Sequence, residues 1–291
     1  MNTKEKRLGT KAQIRAIKNR ERRIATVIFL VFILLIVVFS SYFTYNFPNQ
    51  PQNQTTNPTS SQPKAAIVDQ LSSTFPNQTF IETATNTLKQ AGYTVDYYPG
   101  EKVTVEFYRN LPTQGYKLII LRVHSTAALR SGTNYIETSV SLFTSEPVST
   151  TKYIYDQLTD RLVRVFYLPY AEGDPSYFGI TANFVREGMN GKFENTLIIM
   201  MGCEGLTNAL MAKAFLDRGA KAYIGWNGPV SASFTDETTI CLLQHLIIKK
   251  QATDKALEET FLEKGPDPTY ESLLIYYPLE AGEQTMENIE R

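Results

Sequence analysis

The longest apolar run in the chain lies at residues 24–45 (IATVIFLVFILLIVVFSSYFTY) and carries no charge. A helix of that length reaches about 33 Å, enough to cross a hydrocarbon core of about 30 Å. A cleaved signal peptide is the competing reading, but the run exceeds an ordinary h-region and no small-x-small cleavage site follows it, so an uncleaved anchor is expected. Residues 46–64 (NFPNQPQNQTTNPTSSQPK) are nearly free of large apolar side chains and predict a flexible linker.

From residue 65 the pattern changes to alternating strand-like and helix-like segments. Residues 65–68 read as a strand, and 81–91 as a helix stopped at Gly92. Residues 94–98 read as a strand before the Pro99-Gly100 turn, and the run at 117–123 (KLIILRV) reads as a buried strand. Short β-rich pieces at 135–143 and 162–167 suggest a hairpin-like insertion or edge structure rather than another layer. Residues 196–201, 206–216 and 221–226 form a strand, helix, strand unit with Gly219 closing the helix. Ser233-x-x-Asp236 has the form of a capping box opening a helix that runs through Ile240, Leu243 and Ile247 to Lys249 and Lys250. A helix at 255–264 and a strand at 272–277 end the pattern. The expectation is an α/β domain over residues 65–291 with a mostly parallel sheet covered on both faces.

Charge refines the topology. Nine of the 29 basic residues but two of the 29 acidic ones fall in residues 1–23, so the remainder carries 20 basic against 27 acidic. The basic tail directly before the apolar run predicts a cytoplasmic N-terminus at a cell membrane, a lipid bilayer contacted through residues 24–45, and a main domain outside the cytoplasm. The mildly acidic remainder offers no footprint for nucleic acid. Asn53-Gln54-Thr55 and Asn77-Gln78-Thr79 match the glycosylation acceptor pattern, weak support for that location. The glycines at 225 and 228 lack the spacing of a phosphate-binding loop, which disfavours nucleotide chemistry.

In open α/β sheets, ligands gather beyond the carboxyl ends of the strands. His124 directly follows the strand at 117–123, and Cys203 follows the strand at 196–201 with Gly202 between, in a chain with two His and two Cys. A thiolate is the nucleophilic form of cysteine, and a nearby imidazole and the helix expected from Leu206 would both activate it. Backbone N–H groups around Cys203 and after His124 are candidate donors to an oxyanion, which makes acyl transfer the matching chemistry. Cys241 and His245 stand four apart on one helix, a spacing that serves a metal or a dyad, but no further ligand is in view and both read as core or helix surface. A Cys203–Cys241 disulfide is an open alternative that would abolish the nucleophile.

A strand ending in His, a later strand ending in GCEGL, and the block AKAFLDRGAKAYIGWNGPVSASFTDETTICLLQHL from Ala212 to Leu246 together resemble the caspase-like cysteine peptidases, closest to the CHAT and gingipain-type branch. The resemblance implies a caspase-like three-layer sandwich, a His124–Cys203 catalytic dyad, oxyanion donors at the Ser125, Cys203 and Glu204 N–H groups, a peptide or protein substrate, and no metal or organic cofactor. The family's usual His-Gly is here His124-Ser125, so a catalytically inactive binding or signalling module of the same fold is the alternative. Asp236 and Glu237 are candidates for a substrate pocket reading a basic side chain, and equally for first-turn residues facing a helix dipole.

Overall fold

The computed structural model describes residues 62–129, 138–167, 169 and 171–291. The expected anchor, the basic tail and nearly all of the linker lie outside the described residues. Among the described residues no helix is long and apolar enough to cross a membrane.

The alternation of strands and helices folds as an α/β domain. Strands β1 (Lys64–Asp69), β2 (Thr94–Pro99) and β3 (Tyr116–Arg122) come first, and β4 (Ser125–Leu129), β5 (Thr138–Pro147), β6 (Leu162–Val165) and β7 (Tyr177–Ile180) follow. After β8 (Thr196–Met200) come β9 (Ala220–Trp226) and β10 (Leu274–Tyr277). The main sheet has the order β10-β9-β8-β3-β1-β2. Its strands pair in parallel except β10, which runs antiparallel to β9.

Period-two alternation along the apolar runs of these strands builds two cores. β1 sends Ala65 and Ile67 to one face and Ala66 and Val68 to the other; β3 splits Leu118 and Ile120 from Ile119 and Leu121, and β8 splits Leu197 and Ile199 from Ile198 and Met200. Helix α1 (Gln78–Gln90) packs Phe80, Ile81, Ala84 and Leu88 into the first core, whose spacing of three and four is one helical face. Asn77 caps α1 by accepting from the Phe80 N–H at 3.1 Å. Its amide also donates to Asp236 at 2.8 Å, so one side chain both caps the helix and ties it to α5. Gly92, at φ 94°, ends the helix as expected.

Three expectations need correction. The β-rich pieces between residues 132 and 168 are more than a hairpin-like insertion: with Ser125–Leu129 and Tyr177–Ile180 they form a second, antiparallel sheet of order β4-β5-β7-β6, and its Val140, Leu142, Leu162, Phe178 and Ile180 share one core with Ile119 and Leu121. The segment Ser125–Leu129 reads STAAL, too small and too weakly β-forming to signal a strand. The helix after β8, α4 (Leu210–Asp217), begins four residues later than expected. It follows α2 (Val105–Asn110) and α3 (Ile154–Leu158) in chain order. The next helix, α5 (Ala232–Leu243), starts after Ser231, so Ser233 and Asp236 do not cap it. Asp236 is drawn instead into the buried ion cluster described below. A π turn at Gln244–Ile248 follows α5, then α6 (Thr253–Lys264) and the short α7 (Met286–Glu290).

Candidate active site

His124 and Cys203 lie at the carboxyl ends of neighbouring parallel strands. Each is three positions beyond the paired Leu121 and Met200. Both line one open cleft of about 760 Å³, with Ser125 and Glu204 beside them and the half-exposed Phe75 and Tyr270 at its rim. Both cysteines are free, so the disulfide alternative is not the state of this structure.

His124 is held from every side. Its N–H donates to Gln70 Oε1 at 2.9 Å, and Gln70 Nε2 donates to the Tyr167 hydroxyl at 2.7 Å. The ring packs among Phe75, Phe143 and Tyr167, the last with centroids 4.9 Å apart. Its Nε2 faces Thr74 Oγ1 at 3.0 Å. Burial, and then the positive charge of Arg122, push its pKa down to about 4, so the ring is neutral at pH 7.

Arg122 anchors this end of β3. Its side chain is 1% exposed and donates to Asp69 Oδ1 at 2.6 Å, to both Asp236 oxygens at 2.7 and 2.8 Å, and to the Phe75 carbonyl at 2.7 Å. The cluster ties the ends of β1 and β3 to α5 and to the segment before α1. Asp236 is therefore not a substrate-pocket residue, because both its oxygens are committed to the guanidinium and it is 3% exposed. Glu237 does not line the cleft either. It lies on the opposite surface of α5, 3.5 Å from Lys264.

The turn after β8 is built by glycine. A Cβ on Gly202 would stand 2.2 Å from the Val123 carbonyl oxygen and 2.5 Å from Ser125 Oγ, so only glycine lets the β8 turn press against the end of β3. The Cys203 thiol is 3.5 Å from the Val230 carbonyl, and the Val230 N–H lies 3.4 Å from the sulfur. Burial is the main cause that raises the thiol pKa, the Val230 backbone opposes it, and the charges of Glu204 and Asp267 add to the rise. The late start of α4 removes the helix terminus expected to favour a thiolate. The resting pair is a neutral thiol and a neutral imidazole, and each has another hydrogen-bond partner.

The oxyanion candidates separate clearly. The Phe143 N–H donates to the His124 carbonyl at 2.9 Å while Ser125 pairs with Leu142. This sets Ser125 at a non-bonded position of the ladder, with its N–H turned away from β5. Its hydroxyl donates to the Cys203 carbonyl, so the side chain braces the Cys203 turn. Glu204 is removed as a donor, because its N–H is spent on the Gly228 carbonyl at 2.8 Å. Its residue takes φ 58°, and its carboxylate accepts from the Ala127 N–H at 2.5 Å on the free edge of β4.

Gln70, Thr74 and Arg122 escaped the sequence reading. Arg122 had a legible signal, since a charge inside LIILRV on a strand buried on both faces requires a buried partner. Gln70 and Thr74 had none, because they follow β1 in a short polar turn whose position over His124 is a tertiary fact.

No protein-family model matches the chain. No curated protein matches it either.

Proposed function

We propose that this chain is a membrane-anchored cysteine peptidase of the caspase-like type, held to a bilayer by residues 24–45 with its α/β domain outside the cytoplasm. The observation that carries the reading is the shared cleft, in which a thiol and an imidazole stand at the carboxyl ends of adjacent parallel strands. A sheet of parallel strands with one antiparallel edge, and helices on both faces, agrees with the resemblance in sequence.

His124 is in the base form at pH 7. As the Cys203 sulfur attacks a peptide carbonyl, the thiol proton passes to the imidazole. The same proton then goes to the leaving amine when the C–N bond breaks, and water hydrolyses the resulting thioester. The ring must exchange its Thr74 partner for the thiol, a change of hydrogen bond that substrate entry would drive. Ser125 and Cys203 N–H groups are the remaining donors for the oxyanion. The half-exposed aromatic rim suits an apolar or aromatic peptide side chain, and neither Asp236 nor Glu237 supplies an acidic floor.

The second reading, a module that binds a peptide in the same cleft without cleaving it, is favoured by one observation: thiol and imidazole each have a different partner in the resting state. The test is labelling of the full-length chain in detergent by electrophilic peptides with apolar or aromatic side chains near neutral pH. Peptidase chemistry requires fast labelling that is lost in Cys203→Ala, strongly slowed in His124→Ala, and kept in Cys241→Ala. Labelling at the rate of an ordinary thiol, or carried by Cys241, leaves the binding module.

A further inference from the structure

We propose that Cys241, His245 and Glu263 form a zinc-binding site on the face of the domain formed by α5 and α6, separate from the cleft. Their ligand atoms all lie within 4.8 Å of one another. Cys241 Sγ is 3.3 Å from Glu263 Oε2 and His245 Nε2 is 2.9 Å from Glu263 Oε1. Thiol and imidazole thus converge on the two oxygens of a single carboxylate. In a tetrahedral zinc site, bonds of about 2.0 to 2.3 Å set ligand atoms roughly 3.3–3.6 Å apart. The two separations to the carboxylate are within a few tenths of an ångström of that spacing, and the thiol and imidazole lie within 4.8 Å of each other. Cys241 and His245 are buried and fixed, whereas the Glu263 side chain is half exposed and free to adjust.

The surroundings fit a ligand role for the ring. His245 Nδ1 lies 2.9 Å from Gln251 Oε1, and with the ring proton on Nδ1, facing that acceptor, the Nε2 lone pair is available to a metal beside Glu263. His245 also lies in the π turn Gln244–Ile248, an interruption of helical geometry that recurs at functional sites. Lys249 Nζ is 3.4 Å from Nδ1, on the ring edge away from the carboxylate. The three groups open on a surface pocket of about 380 Å³ also lined by Glu237, which with water is the available fourth ligand. Thiolate, imidazole and carboxylate are a donor set for zinc rather than for calcium or magnesium. Binding releases the thiol proton to water, and one Zn²⁺ with one thiolate, one carboxylate and a water as fourth ligand leaves no net charge.

Sequence offered the Cys241 and His245 pair alone. The third ligand is 18 residues beyond the histidine and is delivered by the packing of α6 on α5.

The test uses the full-length chain in detergent, stripped by a chelator and titrated with Zn²⁺ against a competing chromophoric chelator. One equivalent should bind. Cys241→Ser and His245→Gln should each weaken it by about 100-fold or more, Glu263→Gln by about 10-fold, and Cys203→Ala should leave it unchanged. Because substitution of a buried residue can disturb the fold, Co²⁺ bound to the unaltered chain gives an independent readout, a thiolate-to-cobalt charge-transfer band. Absence of that band at saturating Co²⁺, its persistence in Cys241→Ser, or equal Zn²⁺ affinity in wild type and Cys241→Ser would overturn the site.

Discussion

Arg122→Met tests the anchor beneath His124. The guanidinium makes four close hydrogen bonds, three of them to Asp69 and Asp236, and all three side chains are almost completely buried. Methionine keeps much of the stem volume and leaves two carboxylates facing each other with no cation. Removing one partner of a buried ionic group costs about 3–5 kcal/mol, a large share of an ordinary stability of about 5–15 kcal/mol. For a domain of this size that lowers Tm by roughly 6–20 °C. Two controls make the reasoning sharp. Burial is the main cause that raises the Asp69 pKa, followed by the opposing effect of Arg122, and the charge of Asp236 adds to the rise. Without the arginine, Asp69 binds its proton more tightly in the folded state than in the unfolded one. The variant's deficit should therefore shrink as pH falls from 7 toward 4. The double variant Arg122→Met, Asp236→Asn removes one of the stranded charges and should be more stable than Arg122→Met alone. The assay is denaturant unfolding followed by circular dichroism at several pH values. A loss below 1 kcal/mol for Arg122→Met, or a double variant destabilised by the sum of the single effects, would refute the buried-charge argument.

Gly202→Ala places a methyl group 2.2 Å from the Val123 carbonyl, so it should cost about 1–3 kcal/mol by overpacking and, by parting the ends of β3 and β8, abolish probe labelling at Cys203; unchanged labelling and Tm would show that the turn tolerates a side chain. His124, with its pKa lowered to about 4 by burial and then by Arg122, binds its proton more weakly folded than unfolded. Its contribution to stability is present above the unfolded value of about 6.5 and is lost as pH falls toward 4, about 3 kcal/mol; His124→Gln should flatten that part of the pH profile, and an identical slope in wild type and variant would contradict it. Asn77→Ala removes both the α1 cap and the hydrogen bond to Asp236, an expected loss of about 1–2 kcal/mol in denaturant unfolding; a neutral result would mean that water replaces both.

The amino-acid pattern by itself determined the main sheet. The runs in β1, β3, β8 and β9 are apolar on consecutive positions because each is buried on both faces, and such runs alternating with helices have few topologies open to them. It also located His124 and Cys203 at strand ends, because a polar residue that stops an apolar run is visible without coordinates. The second sheet was not legible in this way. STAAL and YFGI are short and weakly patterned, and they become strands by pairing with β5, the first from the preceding segment of chain and the second from about 30 residues beyond it. Tertiary structure also decided the roles of the acids. Asp236 looked like a helix cap or a pocket floor from its neighbours in the chain, but Arg122, 114 residues away, claims it. Glu204 lost its N–H to Gly228, and Glu263 joined Cys241 and His245, for the same reason. Local pattern records which faces are buried, whereas the partner of a charge or a donor is set by close approach in space, and nothing in the neighbouring residues encodes that distance.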